Sequence, residues 1–595
     1  MSDDSVADLS RRQMIAAGTT GLLSATAAAP ARAAARGRSE AADGTPEQIH
    51  LTWGDDPTSA VVVSWASAGQ ASRPRVRIGQ RVIAATERAY TDTLSGTVVW
   101  TYHALVDRLR PGATYGYAVT ADNDSSAADP FSATFSTAPA GRARFRFTSF
   151  GDLATANPAW ASSHGQAAYA VGAVETFQPL FHLLNGDLAY ANLTPAAQPQ
   201  VWRDFGNNVQ ASAANRPWMP VPGNHELELG NDAHGLASYL TRYTLPPNGV
   251  DGLDGRWYAF RVGTALFVCL SGDDVAYQDG GGFVAGPAPL VPAPGTGHPP
   301  AVAGTSRYVR GYSGGAQTRW LESTLAAARG DASIDWIVVQ LHQCACSSAP
   351  GGSSPGGAGS DLGVRLEWLP LFDRYEVDLV LSGHDHGYER SFPVRGCDTG
   401  AGTDAATGAA VDTRRPHPVT TVDSGVFDSS QGTVHLVLGC GGSLPAAAAP
   451  RNPETPATSG APEMGEAPGT AAAGGTGVRS GIREAAVFTR PGRPVPGGGV
   501  AGRYTRPAAD AVEEATWSAR RDGSAGYGIA VFDVNPGSEA GGQTSVTVRY
   551  YHAVGADQVS PATGQPGAPT GDYTLFETFT LVRPRSDGRR WHLKE

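Results

Sequence analysis

The chain has 595 residues, enough for two or three domains with a full interior, and 41% of them are apolar. Acidic residues outnumber basic ones 56 to 45, the formal charge is −11, and no run of five or more like charges occurs, which excludes the basic footprint that nucleic acid demands. With 75 glycines, 43 prolines and only 17% charged residues, the composition is that of a globular protein with long irregular loops rather than a disordered one.

In chain order, the first 35 residues read as an export signal. Arg11 and Arg12 precede a short, weak apolar stretch and a small-residue site at Ala31 to Ala35, the pattern of a twin-arginine leader, so a secreted or cell-envelope location is expected. Outside it no apolar stretch is long enough to span a bilayer, so no stable membrane insertion is expected. After a linker at 36–45, residues 46–140 change to short β-branched and aromatic runs (QIHLTWG, TSAVVVSWAS, TVVWTYHALVDRL, TYGYAVTA, FSATFSTAP) separated by turn residues. About seven strands in roughly 100 residues predict an all-β, fibronectin type III-like sandwich.

From residue 144 to 449 the pattern becomes α/β. Apolar runs FRFTSF, LFHLLN, DWIVVQ and VDLVLS alternate with helical stretches such as GGAQTRWLESTLAAAR and PLFDRYEV. Gly- and Pro-rich stretches near 279–300 and 350–360, and a low-complexity insertion at 450–520, read as surface loops without a chemical role. Residues 521–585 hold AGYGIAVFDVNPG and TSVTVRYYHA, a strand pair expected to complete the sheet begun by TVHLVLGCGG.

Each central strand ends in a residue type that binds metals: Asp152, Asp187, His342, and His384 with His386. Strand ends of open α/β sheets line one crevice, so these side chains are expected to converge there. A lone strand-end Asp is more often a turn or helix cap; five such residues from four different strands are another matter. VPGNHE adds Asn224 and His225 in a tight turn. Carboxylate, amide and imidazole ligands suit hard to borderline metals.

The ordered motifs GD, GDxxY, GNHE, VxxH and GHxH closely resemble those of the metallophosphoesterase superfamily, and Tyr190 in GDLAY narrows the resemblance to the purple acid phosphatases. The resemblance implies a four-layer αββα metallophosphoesterase domain behind the sandwich. It implies a binuclear centre in which Asp152, Asp187, Tyr190 and His386 hold Fe(III), while Asp187, Asn224, His342 and His384 hold a divalent ion, zinc, manganese or iron. It makes Asp187 the bridge and His225 the catalytic group that contacts the phosphoryl oxygens or protonates the leaving alcohol. The expected activity is acid hydrolysis of small-molecule phosphomonoesters by attack of metal-bound hydroxide on phosphorus, since two cations stabilise both attacking and leaving oxygens. Alternatives are a phosphodiesterase or nucleotide hydrolase on the same scaffold, and an extracellular binding protein with a vestigial site. No nucleic acid partner is expected, and the oligomeric state stays open.

Several local readings accompany this. An extended His384-Asp385-His386 would send the two histidines to different metals and Asp385 elsewhere. A helical turn after Asp187 would return Tyr190 to the same face. Ala154 stands where the family has a glycine, which puts the shape of that loop in question, and QCACSSAPGG after His342 lacks the histidines of plant members. Cys344 and Cys346 are expected to be exposed or paired thiols, and Cys397 and Cys440 could form a bridge, although Cys269 makes five and many pairings are open. Arg203 and Arg390 are read as structural before substrate-binding, and Glu226 as orienting His225 or a ligand.

Overall fold

The computed structural model describes residues 43–588, apart from 93, 127, 161–165, 228–235, 277–281, 286–305, 310–311, 350–358, 405–406, 443–478, 484–486, 490–492, 496–498, 502–503, 506–509, 523–526 and 554–572. The expected leader at 1–35 and residues 36–42 of the expected linker lie outside the described residues, as does most but not all of the stretch at 450–520.

The sandwich comprises β1 (Glu47–Thr52), β2 (Val61–Ser67), β3 (Arg75–Ile78), β4 (Arg81–Ala84), β5 (Thr86–Thr91), β6 (Val98–Val106), β7 (Thr114–Thr120) and β8 (Phe131–Ser136). They form two four-stranded sheets ordered β1-β2-β6-β5 and β4-β3-β7-β8. Eight strands replace the expected seven because β4 and β5 are mostly exposed and carry no apolar alternation to reveal them. Val63, Trp65, Val76, Tyr102, Val119 and Phe135 of the sandwich are buried in the core, while Trp53 packs on Phe181 and Phe260, ring centroids 4.9 and 5.7 Å away.

The second part contains β9 (Phe145–Phe150), α1 (Ala167–Phe177), β10 (Phe181–Asn185), α2 (Gln198–Ala213), β11 (Trp218–Val221), α3 (Ala237–Arg242), β12 (Tyr258–Val262) and β13 (Ala265–Cys269). Then come α4 (Ala316–Gly330), β14 (Trp336–Gln340), α5 (Leu362–Glu367), α6 (Leu369–Arg374), β15 (Leu379–Ser382), β16 (Tyr388–Ser391), β17 (Val426–Asp428) and β18 (Val434–Leu438). Past the insertion lie β19 (Ser518–Asp522), β20 (Gly528–Asn535), β21 (Gln543–Ala553) and β22 (Tyr573–Pro584).

Two mixed seven-stranded sheets result, β11-β10-β9-β20-β21-β22-β17 and β12-β13-β14-β15-β18-β16-β19. They face each other through aromatic contacts: Phe267 of β13 meets Phe147 and Phe181 edge-on, each with ring centroids 5.1 Å apart. Outside the second sheet Leu321, Leu325, Val364, Trp368 and Phe372 of the α4–α6 layer pack on Ile337, Val339 and Val380. This is the αββα architecture with the all-β domain in front. Within each sheet the ligand-bearing strands run parallel, β9 with β10 and β10 with β11, and β14 with β15, so their ends point one way.

The C-terminal strands differ from expectation in partner and extent. The β20–β21 pair is antiparallel as read, but β20 joins β9, opposing Ala530 to Ser149, while β18 (the TVHLVLGCGG run) belongs to the other sheet. Arg146 on β9 and Asp533 on β20 form a cross-strand ion pair at 2.8 Å in that register. Part of the stretch read as a loop insertion is strand: Arg479–Arg483 pairs antiparallel with Asp510–Glu514, so ordered structure begins well before 521, and Trp517 is fully buried. Glu513 pairs with Arg365 of α5 at 2.8 Å with neither side chain accessible, which ties the far side of the insertion to the core.

Candidate metal centre

Every ligand candidate sits where a strand ends and the backbone turns sharply. Asp152, Asp187, Tyr190 and His384 all have positive φ, between 50° and 71°. The His384-Asp385-His386 segment is therefore bent, not extended. The two histidines separate because His384 is left-handed, while Asp385 is turned away and accepts the Gly359 amide at 3.1 Å. Tyr190 likewise returns through positive-φ geometry at Asp187 and itself, not through a helical turn.

Two groups of side chains form. In the first, ligand atoms of Asp187, His342 and His384 lie within 4.8 Å of one another, and all three residues are buried. Around Nε2 of His342 stand Asp187 Oδ2 at 3.1 Å, Asn224 Oδ1 at 3.1 Å and His384 Nδ1 at 3.3 Å. His384 Nδ1 is also 3.1 Å from Asn224 Oδ1. In the second group, Tyr190 Oη is 3.0 Å from both Asp152 Oδ1 and His386 Nε2, and His386 Nε2 is 3.3 Å from Asp152 Oδ1. The loops interlock, for the Asp152 amide donates to the Gly186 carbonyl and the His384 amide to Asp152 Oδ2.

The chemistry of these donors fits cations. Nδ1 of His342 is 2.7 Å from the Asn185 carbonyl, which only accepts, so that nitrogen carries the proton and a neutral ring turns its Nε2 lone pair inward. There it meets a carboxylate, an amide oxygen and a second imidazole, a convergence of lone pairs that needs a positive charge at its centre. A bound cation, or failing that a proton, would supply it. Burial would lower the His342 pKa, but the Asp187 carboxylate outweighs it and pushes it up to about 10. Burial likewise works against Asp187, yet His342, His225 and His384 hold its carboxyl well below the usual range.

The cradle leaves no room for side chains on the glycines before the ligands. A Cβ on Gly186 would fall 2.5 Å from the His342 ring, and one on Gly383 2.5 Å from both Asp152 Oδ2 and the Asn185 carbonyl. Ala154, by contrast, keeps φ at 61° and its amide still reaches the Leu188 carbonyl at 2.9 Å, so the loop tolerates the methyl group.

His225 stands beside the first group, Nε2 3.8 Å from Asp187 Oδ2, its ring 4.3 Å from that of Tyr190. Its Nδ1 is held by Asn192 Oδ1 at 2.8 Å. Asn192 escaped the sequence reading, since an Asn five residues past the GD motif carries no distinguishing signal. Asn185 escaped too, because it acts through its backbone carbonyl. Glu226 does not orient His225: its carboxylate accepts the Leu188 and Gly223 amides, each at 2.8 Å, and pins two ligand loops together. Burial, then the nearby Asp187 charge, pushes its pKa well up.

The remaining expectations resolve as structure. Cys344 and Cys346 are buried and unpaired, and all five cysteines are free thiols, so no Cys397–Cys440 bridge forms. Cys344 Sγ instead contacts the Gly383 carbonyl at 3.0 Å. Arg390 is buried between Phe427 and Phe579 and paired with Glu577 and Asp423; Arg203 pairs with Glu47 at 2.8 Å.

Comparison with known proteins gives a consistent picture. The family model described as the purple acid phosphatase N-terminal domain matches residues 46–138, and that of calcineurin-like phosphoesterases matches 145–388. An uncharacterized protein of Mycobacterium tuberculosis is 38% identical over 591 residues, 96% of this chain and 93% of its own length. The phosphoenolpyruvate phosphatase of Allium cepa is 26% identical over 366 residues, 59% of this chain and 64% of that one. The Fe(3+)-Zn(2+) purple acid phosphatase 12 of Arabidopsis thaliana is 23% identical over 356 residues, 58% of this chain and 65% of that one. Among solved structures, a purple acid phosphatase from yellow lupin seeds shares the fold with a TM-score of 0.54 and 16% identity, over 91% of this chain and 75% of that one.

Proposed function

The chain belongs to the purple acid phosphatase family of calcineurin-like phosphoesterases, and on that premise we propose that it is an exported acid phosphatase that hydrolyses small phosphomonoesters at a binuclear centre. Asp152, Asp187, Tyr190 and His386 would hold Fe(III); Asp187, Asn224, His342 and His384 would hold a divalent zinc, manganese or iron. Bound there, the two cations supply activation of the attacking water and neutralisation of the phosphoryl oxygens. The observation that carries this reading is the set of lone pairs around His342 Nε2, whose ring is fixed by the Asn185 carbonyl.

The chain's own residues do the rest. Asp187 keeps its charge against burial because three histidines face it, so it is available to both cations. Asn192 accepts the Nδ1 proton of His225, leaving Nε2 as the atom that carries a proton toward the leaving alcohol. Glu226 fixes the spacing of the Asp187 and Asn224 loops through their amides. Arg11 and Arg12 begin the leader that directs export.

The test is metal content by elemental mass spectrometry, joined to turnover of an aryl monoester by the parent and by Asp187→Asn. About one iron and one divalent ion per chain, with turnover falling about 100- to 1000-fold in the variant, is the expected result. Full turnover in metal-replete Asp187→Asn would sink the assignment. A second reading, phosphodiesterase, draws on the loop after His342: Gln343 to Ala349 are all buried and bring no cationic side chain toward a second phosphate charge. Faster turnover of the bis-ester than of the monoester would select it.

A further inference from the structure

The sandwich grips the segment that follows the Asn224–His225 turn. Five consecutive backbone carbonyls at the end of α3, Leu240 to Thr244, have no use within the helix, and side chains of the sandwich take all five. Arg88 of β5 donates to Leu240 and Tyr243, each at 3.2 Å. Thr101 and His103 of β6 reach Thr241 at 2.9 and 3.0 Å. His50 and Thr52 of β1 reach Arg242 at 3.1 Å and Thr244 at 2.6 Å. Unsatisfied helix-end carbonyls are normally met by water or by a local cap. Here another domain meets them.

From α3 the contact continues to the site. The Tyr239 hydroxyl, fully buried, donates to the Pro220 carbonyl at 3.0 Å, where the Tyr258 hydroxyl joins it at 2.8 Å. Pro220 lies in β11, and the strand runs through Val221 directly into Gly223, Asn224 and His225. On the other side of β11 the sandwich touches it again: Leu51 bridges to Pro217, and the Trp53 amide contacts Met219 Sδ at 3.3 Å. As β11 is an edge strand of its sheet, this cover supplies the partner the edge lacks.

We propose that the N-terminal sandwich is a positioning element of the catalytic centre: by capping the end of α3 and covering β11, it fixes the turn that presents Asn224 and His225. Arg88 and Tyr239 are the positioning residues that transmit this hold, and neither touches substrate or metal. The proposal rests on the phosphatase reading for its kinetic consequence but not for its structural one.

The experiment uses the full chain with Arg88→Ala, Arg88→Lys and Tyr239→Phe. Arg88 is exposed, so its truncation spares the core, and Tyr239→Phe deletes one hydroxyl while keeping the ring. Hydrogen exchange of a peptide spanning Trp218 to Leu227 is measured beside one spanning β14, with kcat and KM for an aryl monoester. Losing one such hydrogen bond is expected to speed exchange in the first peptide about fivefold, leave β14 unchanged, and lower kcat with little change in KM; Arg88→Lys recovers part of both. Unchanged exchange in both Arg88→Ala and Tyr239→Phe overturns the proposal. Faster exchange with unaltered kcat also overturns it, leaving the sandwich a stabilising role only. If the parent shows no phosphatase turnover, the phosphatase reading fails, and the exchange result alone decides the hold on the turn.

Discussion

An enzyme meant for acid must keep its buried histidines neutral, and two of them set a measurable limit. Burial, then the charge of Arg365, pushes His435 down to about 3, and its Nε2 has no hydrogen-bond partner among the described residues. Burial, then Arg88 and His50, pushes His103 down to about 3 as well, where Ser64 Oγ and the Thr241 carbonyl suit the neutral ring. Both titrate near 6.5 when unfolded, so between pH 6.5 and 3 the unfolded chain binds more protons than the folded one. Stability therefore rises with pH across that window and is lost as pH falls. At pH 5 each such histidine costs about 2 kcal/mol relative to pH 7.5, on the order of 4 kcal/mol for the pair, a large share of a typical net stability of about 5–15 kcal/mol. The measurement is denaturant unfolding of parent and His435→Leu at pH 7.5 and 5.0, at matched metal content so that the oppositely shifted His342 cancels. The parent should lose about 2 kcal/mol more than the variant on acidification. Equal losses would refute the reasoning.

Gly383→Ala should empty the centre, because the new Cβ meets ligand and backbone oxygens at 2.5 Å that cannot retreat; metal affinity falling by less than about tenfold in titration would show that the cradle is looser. Arg365→Leu strands the inaccessible Glu513 carboxylate and should lower stability by about 3–5 kcal/mol, seen in thermal unfolding, with Arg365→Leu/Glu513→Leu recovering most of it. Cation binding at the first group must displace the proton that Asp187 keeps on His342, so apparent affinity for a divalent ion should fall about tenfold per unit as pH drops below about 10; a dissociation constant independent of pH between 6 and 8 would contradict it.

What could be read from the sequence and what could not divide along physical lines. FRFTSFGD and LFHLLNGD announce strands ending in carboxylates because their aromatic and aliphatic residues bracket few charges, and the ligands follow from where those runs stop. β4 and β5 stayed hidden because RVIAATERAYT is mostly exposed, and the sheet joined by β20 stayed hidden because one antiparallel strand pairs with either neighbour until the register is known. Asn185 and Asn192 act by a carbonyl and a single contact, neither of which leaves a spacing to detect.

The deepest of the illegible features is backbone strain at the centre. Among the described residues eleven non-glycine positions have positive φ, and five of them, Asp152, Ala154, Asp187, Tyr190 and His384, belong to the loops that form it. Each such conformation costs on the order of 1 kcal/mol, so the centre stores several kcal/mol that no local preference favours. Side chains alone would not need this. Five strand ends that converge within hydrogen-bond distance do, because an ordinary extended exit would carry each ligand away along its strand, and a left-handed residue reverses the chain in one step. Glycine would remove the strain but has no ligand to offer, so the sequence places a glycine immediately before Asp152, Asp187, Asn224 and His384 and lets the ligand residue, in three of those four, take the strain itself. The interlocked amides of Asp152, Leu188, Gly223 and His384 then hold what the residues alone would release. The GD, GN and GH dipeptides that mark the site in the sequence are thus the visible half of a backbone arrangement whose other half is the φ angle of the residue that follows.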